Sequence, residues 1–545
     1  MRYWGICAAA ASGLLLWAAS PQFNLWPLAW LALIPLFLSI WSAKSMRAAF
    51  GRAYLFGWFY LAPLWYWIAL TINHWAQMTG GAGSEVGWIA WAVLTAPAAA
   101  FYGVWGAIAW RLNRRLPMAW SAAACAAAWV AVEWLRDYGS FSMPWGQLSY
   151  SQFRFLPLIQ IAAVTGAYGV SFLVALVNAT LAGWWRAGRA RAAAGPAGAA
   201  IAVVGLIAAR GAAGLRAQAS PAAVTVADMQ TNFSMENDLS ESQQLRIMEQ
   251  LTRAASVSSP PPDLYVWSET SAPEDALHSY TTRSAMVHLA DKYDADVLVG
   301  TQIKDPSSGA RSNSSLLFLP GGGPPQRYDK QQLVPFGEYI PFRSYWPQAI
   351  ADLFHFFPTD DVSGTGSRVL HGVSRNGVPI AIGPYICWES MYPRYARAMA
   401  LSGANLLATQ SNDAWFGSVE AMRQHVSAVA LRAVECRRDT VRSTTNGITC
   451  LVSATGRITA RAPLNQATYL ARRVHLRSGE TPYVRYGDWF VALCALAVAG
   501  GIALPASASR KAGPTGAGRC SAPDRAPEPA DEASRNGAGT EVEIG

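Results

Sequence analysis

Charged residues are scarce in this chain. They make up 14% of its 545 residues, whereas hydrophobic residues make up 52%. That composition is too apolar for an ordinary soluble protein. The basic residues behind the net charge of +9 stand in short clusters between apolar runs, and there is no long basic tract or zinc-finger spacing. This arrangement is typical of membrane loops, so we expect a bilayer as partner and no nucleic acid.

Cysteine and histidine are also scarce, with seven residues of each. The cysteines are widely separated and form no CxxC pair, which argues against a disulfide framework. The histidines show neither HxxxH nor HExxH spacing, which gives a metal site little support. We therefore predict a protein that needs no metal and no other cofactor.

Long apolar runs, in contrast, are numerous. A bilayer core requires about 20 apolar residues per helix. Eight runs approach that length, at about 3–20, 23–42, 53–72, 86–110, 117–135, 158–184, 195–214 and 487–505. We predict about eight transmembrane helices, although the first run also fits a signal peptide.

The loops between these runs predict an orientation. Basic clusters fall on alternate loops, whereas the loops at 20–23 and 71–85 carry no Lys or Arg. By the positive-inside rule, the basic side is cytoplasmic. The predicted organisation is a block of about seven membrane helices, an extracytoplasmic domain, a closing span and a disordered cytoplasmic tail, at 1–214, 215–486, 487–505 and 506–545.

The extracytoplasmic segment alternates short β-rich runs with helical patterns, which predicts an α/β domain. The expected strands lie at 223–230, 263–269, 295–303, 314–320, 378–387, 405–412 and 447–458. The expected helices lie at 240–256, 281–292 and 419–437.

Three polar groups stand at the ends of expected strands or beside them: Glu269, Lys330 and Cys387. Taken singly, each has an ordinary explanation, as a surface charge or a small buried hydrophobe. However, Cys387 precedes a helix expected from Ser390, and a helix N-terminus favours the thiolate. Glu269 follows an apolar run that would raise its pKa towards that of a base. Lysine occurs only five times in the chain, and an ammonium can stabilise an oxyanion.

Three stretches together resemble the apolipoprotein N-acyltransferases, which are membrane-bound members of the nitrilase superfamily. They are "YDKQQLVPFGEYIP", "GPYICWES" and "SNDAWFG", at 328–341, 383–390 and 411–417. The resemblance covers nearly the whole chain. It implies a nitrilase-like α-β-β-α sandwich on the periplasmic side of the bacterial inner membrane, joined to a multi-pass helical domain.

The resemblance also implies roles for individual residues. Glu269 matches the general base, Lys330 the catalytic lysine and Cys387 the nucleophile. The supporting or substrate-binding residues that it implies are Glu338, Trp388, Glu389, Asn412 and Trp415.

The implied reaction is a ping-pong transfer of a fatty acyl chain. A phospholipid would acylate Cys387, and the thioester would pass the chain to the α-amino group of an apolipoprotein's N-terminal diacylglyceryl-cysteine. We expect aromatic residues of 344–358 and of the "NDAWFG" loop to reach the membrane, and Trp145, Tyr150 and Gln152 to line the lipid path. Other readings stay open: a membrane-anchored amidohydrolase, a transporter or receptor with an outer binding domain, and an inactive anchor.

Overall fold

The computed structural model of the protein describes residues 2–78, 85–139, 142–188, 191–216, 222–233, 239–345 and 360–504. The predicted tail at 506–545 lies outside the described residues, as do all but the first two residues of the predicted membrane arm at 344–358.

The first part of the chain is helical wherever an apolar span was predicted. Its helices are α1 (Arg2–Ala18), α2 (Ala29–Ala32), α3 (Ile34–Trp41), α4 (Met46–Leu64), α5 (Tyr66–Met78), α6 (Glu85–Arg115), α7 (Met118–Leu135), α8 (Leu156–Ile159), α9 (Ala162–Thr165), α10 (Ala167–Arg186) and α11 (Arg191–Arg216).

Within the described ranges, four helices are long and apolar enough to cross a membrane: Gly87–Arg115, Met118–Leu135, Ala167–Arg186 and Ala194–Arg216. A fifth is counted if α4 and α5, which are bent by 44°, form one span. Pro63 lies in the last turn of α4, where it has no N–H to donate to the carbonyl four residues earlier and its ring crowds that carbonyl, which favours a bend. Shorter apolar helices occupy the other predicted spans, so the number eight stays a prediction.

The predicted run at 158–184 is interrupted at Gly166. This residue has φ +69° and separates α9 from α10. A Cβ atom at this position would lie 2.8 Å from the ring of Tyr483, so both the backbone conformation and the space favour glycine. The break therefore lies where the membrane helices meet the later part of the chain.

The described part of residues 223–475 contains two six-stranded sheets. The first has the order β12-β1-β2-β3-β4-β5, and the second has the order β11-β10-β9-β8-β7-β6. Three central strands of each are parallel, β1-β2-β3 and β7-β8-β9. The strands are β1 (Ala223–Gln230), β2 (Leu264–Val266), β3 (Asp296–Lys304), β4 (Arg311–Phe318), β5 (Gln326–Asp329), β6 (Leu370–Val373), β7 (Pro379–Ile386), β8 (Leu406–Ser411), β9 (Thr440–Thr444), β10 (Cys450–Val452), β11 (Ile458–Arg461) and β12 (Thr468–His475).

Side-chain alternation divides each central strand between two cores. In β1, Val224 and Val226 belong to one buried cluster, together with Ile380 and Ile382 of the second sheet. Ala227 and Met229 of the same strand belong to a different cluster, on the face covered by helices. Those helices are α12 (Glu241–Ser256) and α13 (Tyr280–Tyr293).

The second sheet is covered by α14 (Pro393–Leu401) and α15 (Val419–Cys436). With α12 and α13 on the other sheet, this completes the predicted α-β-β-α sandwich. The last two helices of the described chain are α16 (Pro482–Tyr486) and α17 (Trp489–Ala503).

Helix α15 also contacts the membrane helices. Its apolar residues share one buried cluster with residues of α4, α7 and α10. Gln424 donates to the Gln22 side chain at 2.9 Å and to the Leu64 carbonyl at 3.1 Å. Glu435 accepts the Ala167 N–H at 2.7 Å. The second sheet is therefore fixed to the helical region through its own helix layer.

Some strand predictions were wrong. The expected strand at 447–458 is divided between β10 and β11, because Thr455-Gly456 forms a turn with Gly456 at φ +81°. Strands β5, β6, β9 and β12 were not predicted. β12 is a partly buried edge strand whose exposed residues are Arg472 and Arg473, and its sequence lacks regular apolar alternation.

Candidate active site

Four candidate residues follow strand ends that converge on one buried site. Glu269 follows β2 and Lys330 follows β5, both in the first sheet. Cys387 directly follows β7 and Asn412 directly follows β8, both in the second sheet. β2 is parallel to β1 in the first sheet, and β7 is parallel to β8 in the second. In each sheet, polar groups therefore follow the carboxyl ends of parallel strands, where sites commonly form.

Lys330 lies between two glutamates. Its Nζ is 3.1 Å from Oε1 of Glu269 and 2.7 Å from Oε1 of Glu338. Asn313 Nδ2 donates to the same two oxygens, at 2.7 Å and 3.1 Å. Burial alone would lower the pKa of Lys330, but the charges of Glu269 and Glu338 outweigh it and hold that pKa well above its usual range. The side chain is therefore an ammonium.

The second oxygen of Glu269 is held by the backbone of Asn412, whose N–H donates to Oε2 at 2.7 Å. The Asn412 side chain points elsewhere: its Oδ1 accepts the Ala414 N–H at 3.2 Å and caps the 3₁₀-helix Asp413–Phe416. Trp415 lies in this short helix and is partly buried. Asn412 thus contributes through its main chain, which a prediction based on side-chain type does not anticipate.

Cys387 is the first residue of a 3₁₀-helix, Cys387–Met391, and it has φ +49°. It is 8% exposed, and its Sγ lies 3.4 Å from Ser411 Oγ. Burial and the charge of Glu269 raise the pKa of the thiol, and they outweigh the opposing effect of Lys330. The expectation of a thiolate at a helix N-terminus is therefore wrong for the resting site. The α-helix begins only at Pro393, and desolvation dominates.

Glu389 connects the nucleophile segment to the lysine segment. It is fully buried and accepts the N–H groups of Ile386 at 2.6 Å and Gln331 at 2.7 Å. It also accepts the hydroxyl of Tyr328 at 2.8 Å. Burial raises the pKa of Glu389 to about 7, against the effect of these donors. Its two oxygens therefore hold the backbone of the Cys387 segment and of the Lys330 segment.

Trp388 faces the helical region. Its ring centroid is 5.7 Å from that of Trp145, and its Nε1 donates to the Tyr392 hydroxyl at 3.0 Å. Trp145, Tyr150 and Gln152 were expected to line a lipid path, but none of them is more than 2% exposed. Tyr150 donates to the Met391 carbonyl at 3.1 Å. Trp145 and Tyr150 therefore hold the 143–152 segment against the α/β domain, whereas Gln152 accepts from Trp30 Nε1 at 3.0 Å and donates to the Trp26 carbonyl at 3.1 Å within the helical region. Their lining of a lipid path stays a prediction.

Several residues of the site were not predicted: Asn313, Tyr328, Ser411, Asp413, His425 and Arg442. Ser411 and Asp413 lie inside the quoted "SNDAWFG" stretch, so a signal for them was present. His425 and Arg442 gave none, because a polar residue in a helical or strand pattern ordinarily indicates the solvent face. Among the residues that the structure describes, no group of three or more His, Cys, Asp or Glu could hold a metal ion.

Two family models match the chain. Residues 12–180 match the apolipoprotein N-acyltransferase N-terminal domain, and residues 223–481 match the carbon-nitrogen hydrolase model. The chain is 32% identical over 529 residues to the apolipoprotein N-acyltransferase of Geobacter metallireducens, covering 92% of this chain and 95% of that protein. It is 33% identical over 502 residues to the same enzyme of Pseudomonas putida, with coverages of 90% and 94%.

Solved structures similar to this one are smaller proteins. A carbon-nitrogen hydrolase from Helicobacter pylori is 18% identical with a TM-score of 0.37, covering 50% of this chain and 94% of that protein. An amidase from Nesterenkonia sp. is 16% identical with a TM-score of 0.36, covering 51% and 97%.

Proposed function

This chain belongs to the apolipoprotein N-acyltransferase family and is a membrane protein that N-acylates lipoproteins, and from that premise we propose its mechanism, substrates and topology. The donor is a phospholipid, and the acyl chain passes through a thioester on Cys387. The acceptor is the α-amino group of an N-terminal diacylglyceryl-cysteine.

One observation carries the mechanism: a buried thiol shares its site with a lysine ammonium and two carboxylates. The charge of Glu269 raises the pKa of the Cys387 thiol, and the charge of Lys330 lowers it. Because the thiol is protonated at rest, its proton must leave as the sulfur attacks, and Glu269 is the base within the site. Glu338 supplies a second negative charge that keeps Lys330 protonated.

Acylation starts when Glu269 takes the thiol proton and the sulfur attacks the ester carbonyl of the phospholipid. A C–S bond forms, and the carbonyl electrons move to oxygen. The Lys330 ammonium stabilises this oxyanion together with the N–H of Trp388. That N–H lies in the first turn of a 3₁₀-helix, where no intrahelical carbonyl accepts it. The ester C–O bond then breaks, and Glu269 returns its proton to the departing lysophospholipid oxygen.

Transfer reverses these roles. The acceptor amine attacks the thioester, and Glu269 takes a proton from the amine. The C–S bond then breaks to give an amide, and Glu269 returns the proton to the departing sulfur, which restores the thiol and the carboxylate. A thioester is reactive towards amines but also towards water, so a site that leaves Cys387 only 8% exposed suits this chemistry.

We place the α/β domain on the periplasmic side of the bacterial inner membrane, on about eight transmembrane helices. The alternation of basic and uncharged loops along the chain supports the periplasmic placement. The contacts of Gln424 with Leu64 and of Glu435 with Ala167 hold the Cys387 side of the domain against the helices. A donor lipid that stays at the bilayer avoids a cost of about 0.8 kcal/mol for each CH₂ exposed to water.

The test is to capture the intermediate. Wild-type protein incubated with radiolabelled phospholipid should carry label that neutral hydroxylamine removes, whereas Cys387→Ala should carry none. Cys436→Ala, which removes another buried thiol, is the matched control and should be labelled like wild type. Wild type that turns over without ever carrying the label would exclude the thioester route. Release of free fatty acid instead of an N-acyl lipopeptide would indicate a hydrolase.

A further inference from the structure

Buried polar side chains hold the peptide unit between Cys387 and Trp388 in place. Cys387 has φ +49°, a conformation that costs a non-glycine residue about 1–3 kcal/mol and persists only where the surroundings enforce it. The cost here falls on the nucleophile itself, so the groups that enforce the conformation bear on catalysis.

The geometry of a trans peptide couples two functions of this unit. The Cys387 carbonyl and the Trp388 N–H belong to the same planar group and point in opposite directions. Whatever fixes the carbonyl therefore also fixes the direction of the N–H. In the proposed function that N–H is an oxyanion donor, and such donors act only when they are aimed at the position of the developing charge.

Two side chains fix the carbonyl. Ser390 Oγ donates to it at 2.8 Å, and Nε2 of His425 lies 3.0 Å from it. His425 is fully buried in α15 and also contacts Ser390. Its other nitrogen, Nδ1, is 3.1 Å from Nη2 of Arg442. Because a guanidinium can only donate, Nδ1 must accept, and the proton of the neutral ring lies on Nε2, facing the Cys387 carbonyl.

Arg442 is itself held in place. It is fully buried, and its Nη2 donates to Oδ1 and Oδ2 of Asp413 at 3.0 Å and 3.1 Å. Its Nη1 donates to the Ile448 carbonyl at 2.7 Å. Asp413 also lies 2.8 Å from Ser411, the residue next to the Cys387 sulfur. Asp413 is thus connected to Cys387 by two routes. One runs through Ser411 to the sulfur, and the other runs through Arg442 and His425 to the carbonyl oxygen.

We propose that His425 is a positioning residue: with its tautomer set by Arg442 and Asp413, it holds the Cys387 carbonyl and thereby aims the Trp388 N–H at the oxyanion. This role rests on the proposed thioester chemistry. His425 contacts the Cys387 carbonyl, and we infer that it acts through the peptide plane of that residue.

A proton-transfer role for His425 does not fit its surroundings. The charged groups that act on the ring are Arg442, Asp413 and Lys330. Burial, followed by the charge of Arg442, lowers the pKa of His425 to about 3. The ring is therefore neutral at working pH, and its one lone pair is occupied by Arg442.

The experiment compares His425→Gln with His425→Met. Glutamine can accept from Arg442 through its oxygen and donate to Cys387 through its nitrogen, whereas methionine has similar volume and no N–H. We expect His425→Gln to form the thioester within about threefold of the wild-type rate. We expect His425→Met to be slower by at least tenfold, approaching the 10²–10³ typical of a lost oxyanion donor. KM for phospholipid should not change. Ser427→Ala, two positions further along α15, is the matched control and should behave like wild type.

A second measurement distinguishes a misdirected Trp388 N–H from a general loss of structure or of Cys387 reactivity. Alkylation of Cys387 by iodoacetamide forms no oxyanion, so its rate should be the same in wild type and in His425→Met. Ser390→Ala removes the other bond to the same carbonyl and tests the inference independently if His425→Met does not accumulate. In that variant we expect slower acylation with unchanged alkylation.

Equal acylation rates for the glutamine and methionine variants would overturn the inference, and so would a parallel loss of alkylation. An acid limb of the pH–rate profile that shifts in His425→Gln would point to proton transfer instead. Failure of the proposed function has a different signature, since wild-type protein itself would then carry no hydroxylamine-labile acyl group.

Discussion

The two sheets of the α/β domain have the same construction but different surroundings. Each has three parallel strands extended by antiparallel ones. On the first sheet, α12 buries only Met248, Thr252 and Ala255, and its other side is open. On the second sheet, every residue of α15 from Ala421 to Cys436 except Arg423 is buried, because membrane helices cover its outer side.

This difference divides the chemistry. The nucleophile follows a strand of the sheet that is fixed to the membrane helices, whereas Glu269 and Lys330 come from the other sheet. The sulfur that we propose to receive the acyl chain is thus attached to the part of the domain nearest the helices. The proposed general base, Glu269, and the Lys330 ammonium reach the same site across the junction between the sheets.

The largest expected effect on stability and acylation follows from removing the charge of Lys330, which lies where the two sheets meet. Lys330→Met leaves the buried carboxylate of Glu269 and the partly buried carboxylate of Glu338 without their countercharge, which should lower the free energy of unfolding by about 3–5 kcal/mol. Loss of the oxyanion cation should also reduce acylation by at least about 10²–10³. Thermal unfolding in detergent and single-turnover labelling measure the two effects.

Lys304→Met is the control for this substitution. Lys304 lies at the end of β3 in the same sheet and is exposed, so its loss should change stability by less than about 0.5 kcal/mol. A Lys330→Met protein as stable as this control would contradict the electrostatic account of the site.

A smaller effect should distinguish the two helix layers. Ala430→Asp places a carboxylate in the fully buried face of α15, where an unpaired charge should cost about 3 kcal/mol or more. Ala254→Asp makes the same change on the exposed side of α12 and should cost less than about 1 kcal/mol. The measurement is the unfolding midpoint of each purified variant. Equal losses at the two positions would mean that α15 is not enclosed by the membrane helices.

The smallest expected effect concerns the pH dependence of stability. The pKa of Glu389 is raised to about 7 on folding, so protonation stabilises the folded form below about pH 4.5, and this contribution is lost as the pH rises towards 7. Glu389→Gln cannot titrate. Between about pH 4.5 and 7 its free energy of unfolding should therefore fall by about 3 kcal/mol less than that of wild type. Unfolding measured between pH 4.5 and 7.5 tests the prediction.

Asp296→Asn provides the comparison in the first sheet. Burial also raises the pKa of Asp296 to about 7, so its removal should flatten the same pH range with the same sign. Only Glu389→Gln should also slow thioester formation, because Asp296 lies at the opposite end of its strand from the site. If Asp296→Asn slows acylation equally, the two effects of Glu389 cannot be attributed to its place beside Cys387.

Much of the framework was predictable from local patterns. Helices α12, α13 and α15 and strands β1, β3, β7 and β8 lie within one to two residues of their predicted bounds, because their apolar spacing is regular. Strand β12 was missed because its arginines face solvent on an edge. His425 was missed because a histidine in a helix shows no sign of the residue 38 positions earlier whose carbonyl it contacts.

The sequence by itself determined the apolar runs, the alternation that builds two sheets, and the presence of a thiol, a carboxylate and a lysine after strands. Only the tertiary structure decided their states. The thiol of Cys387 is protonated at rest, Lys330 is charged between two glutamates, and His425 is neutral against Arg442. These states depend on burial and on charges contributed by distant segments, and a pKa responds to neighbours in space, whatever their order along the chain.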